Sequence, residues 1–273
     1  MILLRVFALA KVTCKEGIRD RSLFGIFLLA LFLMGLNIAV AGFFMRDLGK
    51  VTVDINLSAI SFAGLLLVFF VGINLMAKDI DKKTIHLVLS KPFSRAEYIW
   101  GKYLGLVLLV MTTLVVLLVL SCATVTAVHG MYPGFFGGFS WEVYFWAVAF
   151  IGFQLTLLCG IVVFFSTITT SSFITLIFSV ATYLVGISLE EVLFYLKGQA
   201  ASKDVVASEA LHSFLEVVAW IVPNFAAFDF KVEAAHGLAI ESGRLAISAG
   251  YGFCYIVLLL WLSTVIFRRR EFN

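Results

Sequence analysis

Five long stretches of this 273-residue chain contain no Asp, Glu, Lys or Arg. They cover residues 22–45, 55–77, 103–141, 143–189 and 245–267, and they are 24, 23, 39, 47 and 23 residues long. A helix needs roughly 20 apolar residues to cross the hydrocarbon of a bilayer. Since 62% of the residues are hydrophobic and only 14% are charged, the chain carries more apolar surface than one soluble core can bury. The pattern predicts an integral membrane protein and excludes a soluble enzyme, a disordered chain and a nucleic-acid-binding domain.

The two longest runs differ in the number of crossings that they hold. The polar segment 166–172 divides the 47-residue run, which therefore predicts two crossings joined by a tight turn. The 39-residue run continues after His129 into a segment rich in Gly and Pro, which is typical of an interfacial loop, and it predicts one crossing. The expected fold is all-α, with six transmembrane helices at about 23–45, 57–77, 103–127, 142–165, 172–189 and 248–267.

The outer segment 190–247 precedes the last predicted span. Its apolar stretch 217–228 is too short to cross a bilayer and contains Pro223. We therefore expect short re-entrant or interfacial helices here that cap the outer end of the bundle.

The basic residues predict the orientation in the membrane. Six spans place both termini on one side, and the segments on that side carry 14 Lys and Arg against 6 on the other. By the positive-inside rule both termini are cytoplasmic. The apolar residues Met1 to Leu4 have no basic region before them and no small-residue cleavage site follows, so we expect no removable signal peptide.

Reactive groups are missing from the sequence. It has no phosphate-binding loop, no serine-hydrolase motif and no zinc-protease motif. The cysteines Cys14, Cys122, Cys159 and Cys254 form no Cys-x-x-Cys pair, and the predicted spans have no ionisable residue in their interiors. We expect no enzyme activity, no catalytic residue, no metal site and no cofactor on this chain.

Residues 1–22 predict an amphipathic helix in the inner membrane interface. On a helical wheel Leu3, Val6, Phe7, Ala10 and Thr13 lie in an apolar arc. The opposite arc is basic and consists of Arg5, Lys11, Lys15 and Arg19. Such a helix binds lipid phosphates or a protein partner, and a simple positively charged anchor is the alternative.

The connection between the second and third spans, residues 78–102, is longer than a chain reversal needs. It predicts a short helix over 79–89, a turn at Pro92, and a new helix start at which Ser94 forms a capping box with Glu97. Its length indicates a docking surface, and a solvated charged loop is the alternative.

Four short segments carry a resemblance to a known family. Residues 89–95 read LSKPFSR and are followed at 98–105 by YIWGKYLG; residues 221–225 read IVPNF, and residues 265–272 read VIFRRREF. In this order, and with six spans and an inner amphipathic helix, the chain resembles the ABC-2 type transporter permeases, the NosY-like permeases among them. The family often has Gly before Thr84, where this chain has Lys83.

The resemblance implies an interface helix, 1–22, and a six-span ABC-2 type domain, 23–273, in the bacterial cytoplasmic membrane. It also implies pairing with a second copy or a close relative, and two separate cytoplasmic ATPase subunits that hold ATP and Mg. The residues expected to contact the ATPase are Asp79, Lys82, Lys83, Thr84, His86 and Arg95, with Pro92 as a rigid corner. The residues expected along the transport path, on spans two and five, are Ser58, Ser61, Asn74, Thr175, Ser179 and Thr182. The alternative role for these hydroxyl and amide side chains is helix packing.

The expected function is a permease subunit that exports an apolar or amphipathic substrate. One alternative is a permease for copper or sulfur delivery in metalloenzyme assembly. Another is a non-transporting anchor or mechanical relay that acts on an outer partner protein. The expected partners are therefore the ATPase, a second permease copy, membrane lipid and, in the relay hypothesis, an outer-face protein, but no nucleic acid.

Overall fold

The structure, a computed structural model, describes residues 2–40, 47–76, 94–199, 217–219 and 221–269. Its helices are α1 (Ile2–Ile18), α2 (Arg21–Val40), α3 (Leu48–Leu66), α4 (Arg95–Met131), α5 (Trp141–Ile168), α6 (Ser172–Gln199), α7 (Lys231–His236) and α8 (Ser242–Arg269). A π-helical segment, Leu67–Gly72, continues α3 as far as Met76. Short 3-10 turns lie at Pro133–Phe135 and Ala226–Phe228.

Six of these helices are long and apolar enough to cross a membrane: α2, α3 with its continuation, α4, α5, α6 and α8. No strand occurs in the ranges that the structure describes. The predicted all-α membrane fold is confirmed. Several helices extend beyond the predicted spans. For example, α3 begins at Leu48 instead of 57, and α8 begins at Ser242 instead of 248.

Local sequence signals account for two of the helix ends. At the start of α4 the Ser94 hydroxyl accepts a hydrogen bond from the Glu97 backbone N–H at 3.2 Å, and the Glu97 carboxylate accepts one from the Ser94 N–H at 2.7 Å. This is the predicted capping box, which satisfies two helix-end donors at once. Between α5 and α6 only residues 169–171 reverse the chain, as the polar break predicted.

Helices α3 and α5 form the centre of the bundle. In their most apolar stretches 72% of the residues are buried, against 22–33% in the other four spans. Close approach contributes to this packing, because a Cβ on Gly64 of α3 would overlap Leu155 of α5. The remaining helices surround these two and present most of their apolar side chains outward.

A buried polar layer joins three of the spans, and the sequence analysis did not single it out. The Asn37 amide of α2 and the Asn56 amide of α3 both donate to the Thr52 carbonyl, at 3.1 and 2.9 Å. The Thr124 hydroxyl of α4 donates to the Asn56 side-chain oxygen at 2.6 Å. Hydrogen bonds of this kind hold transmembrane helices together because lipid offers no alternative partner.

The helix ends define two poles of the bundle. We call the pole at which α1, the start of α4 and the end of α8 meet the inner end, and the opposite pole the outer end, following the predicted orientation. Residues 221–240 cover the outer end, and we call them the outer cap. Phe225, Phe228 and Phe230 of the cap are 0–1% exposed, so this segment inserts aromatic side chains among the spans instead of lying on their surface.

Candidate coupling surface and transport path

Helix α1 packs along the first three turns of α4 at the inner end. Leu9 of α1 lies against Gly101, where a Cβ would come within 2.7 Å of its side chain. One turn further along α4, a Cβ on Gly105 would meet Thr13 at 2.6 Å and the Ala10 carbonyl oxygen at 2.8 Å. The two glycines therefore form a groove in α4 that the backbone of α1 enters.

The packing divides α1 into three faces. Ala10 and Thr13 are buried against α4, whereas Leu3 and Phe7, which the helical wheel placed in the same apolar arc, are 84% and 65% exposed. The predicted basic arc faces away from α4: Lys11, Lys15 and Arg19 are exposed and Arg5 is half-buried. One part of the apolar arc thus packs against α4 and the other part faces away from the bundle, where the membrane is expected. The basic arc remains accessible.

Cys14 lies at the edge of the α1 contact and is half-buried. Burial raises the pKa of its thiol. Since the thiolate is the reactive form of cysteine, Cys14 stays protonated at neutral pH and acts as a packing residue.

Arg95, predicted as an ATPase contact, reaches the end of the last span. Its guanidinium donates to the carbonyl oxygens of Phe267 and Arg268 at 3.1 and 3.0 Å. One turn later the Tyr98 ring stacks on Phe267, with the ring centroids 5.7 Å apart. A cation at a helix C-terminus satisfies carbonyls that have no partner within the helix. Whether Arg95 also contacts an ATPase stays a prediction.

Lys102 is a structural residue that the sequence did not single out, because its partner lies on another helix. It is 4% exposed, and its ammonium donates to the Leu75 carbonyl near the end of the π-extended α3 at 3.0 Å. The same nitrogen lies 5.9 Å from the centroid of the Tyr98 ring. The first two turns of α4 therefore hold the inner ends of both α3 and α8.

The other predicted coupling residues, Asp79, Lys82, Lys83, Thr84, His86 and Pro92, lie outside the described residues. Their contacts stay predictions.

The predicted path residues of α6 point into the protomer. Thr175 and Ser179 are 0% exposed, and the Thr175 hydroxyl lies 2.6 Å from that of Thr169 in the α5–α6 turn. Thr182 is half-buried and donates to the Phe178 carbonyl of its own helix at 2.7 Å. Whether any of these side chains lines a transport path stays a prediction.

The predicted path residues of α3 divide between its two sides. Ser61 is only 5% exposed. Ser58 and Asn74 are exposed, and the Asn74 amide donates to the Asp20 carboxylate at 3.3 Å. Asp20 follows the end of α1, so Asn74 links that end to the inner end of α3.

One stripe of the otherwise buried α3 remains uncovered. Its residues recur at intervals of four or eight, and they are Asp54, Ser58, Phe62, Phe70 and Asn74. Phe62 and Phe70 are 47% and 56% exposed. An α-helix completes a turn in fewer than four residues, so residues spaced by four lie progressively further around the helix. The π-helical segment at 67–72 has more residues per turn and reverses part of this rotation. The stripe is polar at its two ends and aromatic in the middle.

A charged cavity of about 570 Å³ opens at the inner end beside this stripe. It is lined by Val12, Lys15, Glu16, Arg19, Asp20, Asn74 and Leu75. In the part of the chain that the structure describes, no group of three or more His, Cys, Asp or Glu converges on one point.

Comparison with protein families identifies the class of this chain. A family model described as ABC-2 family transporter protein matches residues 7–272. The chain belongs to the ABC-2 transporter family. The match covers all six spans and the outer cap, and it leaves out only Asn273 and the first six residues. No similar protein was found among the curated proteins.

Members of the ABC-2 family are transmembrane components of ABC transporters, which in general work with an ABC ATPase. The chain is therefore a multi-pass membrane subunit and not itself the catalytic one. The resemblance drawn from residues 89–105, 221–225 and 265–272 is confirmed at the level of the ABC-2 family.

Proposed function

We propose that this chain is the permease subunit of an ATP-driven exporter in the bacterial cytoplasmic membrane. Two copies, or one copy and a close relative, form the transport path between them, and a separate cytoplasmic ATPase binds the inner end. ATP and Mg are held by that partner. The substrate is apolar or amphipathic.

The uncovered stripe of α3 is the observation that carries this proposal. Polar side chains avoid direct contact with lipid tails and face a protein partner or a water-filled space instead. The carboxylate of Asp54 and the hydroxyl of Ser58 are exposed on a helix that is otherwise central to the bundle. A second copy facing this stripe encloses it and converts it into one wall of a path.

The composition of the stripe supports the substrate class. Phe62 and Phe70 occupy its middle, and in the described ranges no cluster of metal-binding side chains lies along it. Aromatic walls favour apolar and amphipathic molecules, because such molecules bury apolar surface against the rings and need no charged partner there.

The inner end supports ATPase binding. Lys11 and Lys15 of α1, and Arg19 directly after it, are exposed on the side turned away from α4. Helix α1 is wedged into the Gly101 and Gly105 groove, so a push on α1 is passed directly to α4. Orientation with the termini in the cytoplasm places this surface on the side where ATP is available.

Affinity purification from native membranes tests the proposal. The tagged chain is expected to retain an ABC ATPase, identified by mass spectrometry, and the Lys15→Glu/Arg19→Glu variant is expected to lose it through charge reversal. The matched control is Lys50→Glu at the outer end, which should retain the ATPase. Absence of any ATPase from the unmodified chain contradicts the proposal. ATP turnover that responds only to an outer-face protein, and to no small molecule, favours the relay hypothesis instead.

Cysteine labelling tests the assignment of the path. In a variant whose four native cysteines are replaced by alanine, Ser58→Cys is expected to react with a water-soluble maleimide, because the stripe faces water. There are two matched controls, and both should react slowly. One is Ser61→Cys, which is three residues away and buried, and the other is Val116→Cys on the apolar outward face of α4. Equal labelling at Ser58 and Val116 shows that the stripe faces lipid and removes the support for a path along it.

A further inference from the structure

Helix α8 is held at its inner end by a side chain of another span. The Arg95 guanidinium bonds the Phe267 and Arg268 carbonyl oxygens at 3.1 and 3.0 Å, within the last turn of α8. A guanidinium has several N–H donors in a rigid plane, so it can bind two neighbouring carbonyls at once. The stacked rings of Tyr98 and Phe267 cover this junction on its apolar side.

The outer half of α8 is fastened to the outer cap. The Ser248 hydroxyl donates to the Ala227 carbonyl at 2.9 Å, and the Asn224 N–H donates to the Tyr251 hydroxyl at 2.9 Å. The Tyr255 hydroxyl donates to the Ile221 carbonyl, and the Arg244 guanidinium pairs with the Glu233 carboxylate at 2.6 Å. The Arg244 guanidinium also lies over the Phe230 ring, 4.9 Å from its centroid. These contacts fasten the cap to α8, and the cap also bonds α6, through the Phe225 N–H to the Gly186 carbonyl at 3.1 Å and the Asn224 amide to the Glu190 carboxylate at 3.1 Å.

Between these two attachments α8 is one continuous helix. It has 28 residues and contains no proline, so it spans about 42 Å at the rise of an α-helix. An uninterrupted helix transmits a displacement along its axis because its backbone hydrogen bonds resist compression and kinking. The contacts that the cap makes elsewhere include the packing of α7 on α3 and the approach of Gly237 to Gly138.

We propose that Arg95 is a positioning residue that makes α8 a rod between the inner end of α4 and the outer cap. Movement of α4, driven by an ATPase at the inner end, pulls on α8 through Arg95 and shifts the cap relative to α3. The role of Arg95 is thus a contact within the chain, distinct from direct binding of the ATPase. This inference rests on the proposed function.

The test follows the cap while nucleotide acts at the opposite end. Ala234 of α7 is 0% exposed, so Ala234→Cys, in the variant without native cysteines, reacts with an impermeant maleimide only when the cap shifts. The complex with its co-purified ATPase is reconstituted in lipid nanodiscs, in which both faces are open to solvent, and labelling is compared without nucleotide and with Mg-ATP and vanadate. We expect nucleotide to increase the labelling rate when Arg95 is present.

The Arg95→Ala variant is expected to lose this increase, and each labelling rate is compared at the same amount of co-purified ATPase. Arg95→Lys keeps the charge and a donor but not the planar pair of donors, and it is expected to restore part of the increase. Arg269→Ala removes an exposed cation at the same end and should behave like the parent. The thermal midpoint of each complex is measured in parallel, and the partial rescue by lysine identifies a positioning role even if alanine lowers that midpoint.

Three results overturn the inference. The first is an undiminished labelling increase in Arg95→Ala, and the second is the absence of any labelling increase in the parent. The third is loss of the bound ATPase in both Arg95→Ala and Arg95→Lys, which would make Arg95 a docking residue. Each differs from failure of the proposed function, in which the unmodified chain retains no ATPase at all.

Discussion

Replacing Gly105 by leucine is expected to detach α1 from α4 and to abolish binding of the ATPase. A Cβ at this position already lies 2.6 Å from Thr13 and 2.8 Å from the Ala10 carbonyl oxygen. Both contacts involve atoms close to the backbone of α1, so no side-chain rotation relieves them. Overpacking of this kind costs about 1–3 kcal/mol even when neighbours can adjust. Affinity purification measures the retained ATPase, and protease sensitivity of α1 measures its detachment.

The same helix supplies the control. Gly130 lies near the outer end of α4 with no atom within 4 Å of a Cβ built on it. Gly130→Leu should leave the thermal midpoint and ATPase binding at parental levels, because it adds a residue of higher helix propensity in open space. If Gly105→Leu retains both the ATPase and a protected α1, the docking of α1 on α4 has no part in coupling.

Replacing Gly237 by valine is expected to disrupt the outer cap and lower the thermal midpoint of the protein. Gly237 ends α7 with φ 63°, in the left-handed region. A β-branched residue there costs about 1–3 kcal/mol in backbone strain alone. A Cβ would also overlap the carbonyl oxygen of Gly138, so the loop at 132–140 must separate from the cap. Fluorescence-detected size-exclusion chromatography after heating measures the midpoint.

Gly134→Val is the matched control for the cap. It changes another glycine of the outer end in the same way, at a position where an added Cβ would have no neighbour within 4 Å. It is expected to leave the midpoint unchanged. Comparable losses in the two variants would show that valine disturbs the outer surface generally and that the contact between Gly237 and Gly138 is unimportant.

The sequence predicted those features that depend on short-range pattern. The capping box of Ser94 and Glu97 follows from residues three apart, and the α5–α6 reversal follows from one run of polar residues. The basic arc of α1 follows from helical periodicity in the same way. Each of these depends on neighbours along the chain, whose geometry the backbone dictates.

Other assignments depended on which helices meet. Thr175 and Ser179 carry the side chains expected of a path, but α6 turns them into the protomer. The sequence also marked Arg95 as a cytoplasmic basic residue without its partners, because Phe267 and Arg268 lie more than 170 positions away along the chain. Asn37 and Asn56 are isolated amides in the sequence and become a buried layer only when α2, α3 and α4 pack together.

The sequence by itself determined that this chain has six segments long and apolar enough to cross a membrane and which family it resembles, since charge-free runs and local motifs are properties of segments. Only the tertiary structure decided that α3 is central with one uncovered stripe, and that Arg95 and Lys102 hold the ends of other helices. The physical reason is that apolar helices in lipid are alike in their preference for the membrane. Their arrangement comes from close packing and interhelical hydrogen bonds, which no single segment encodes.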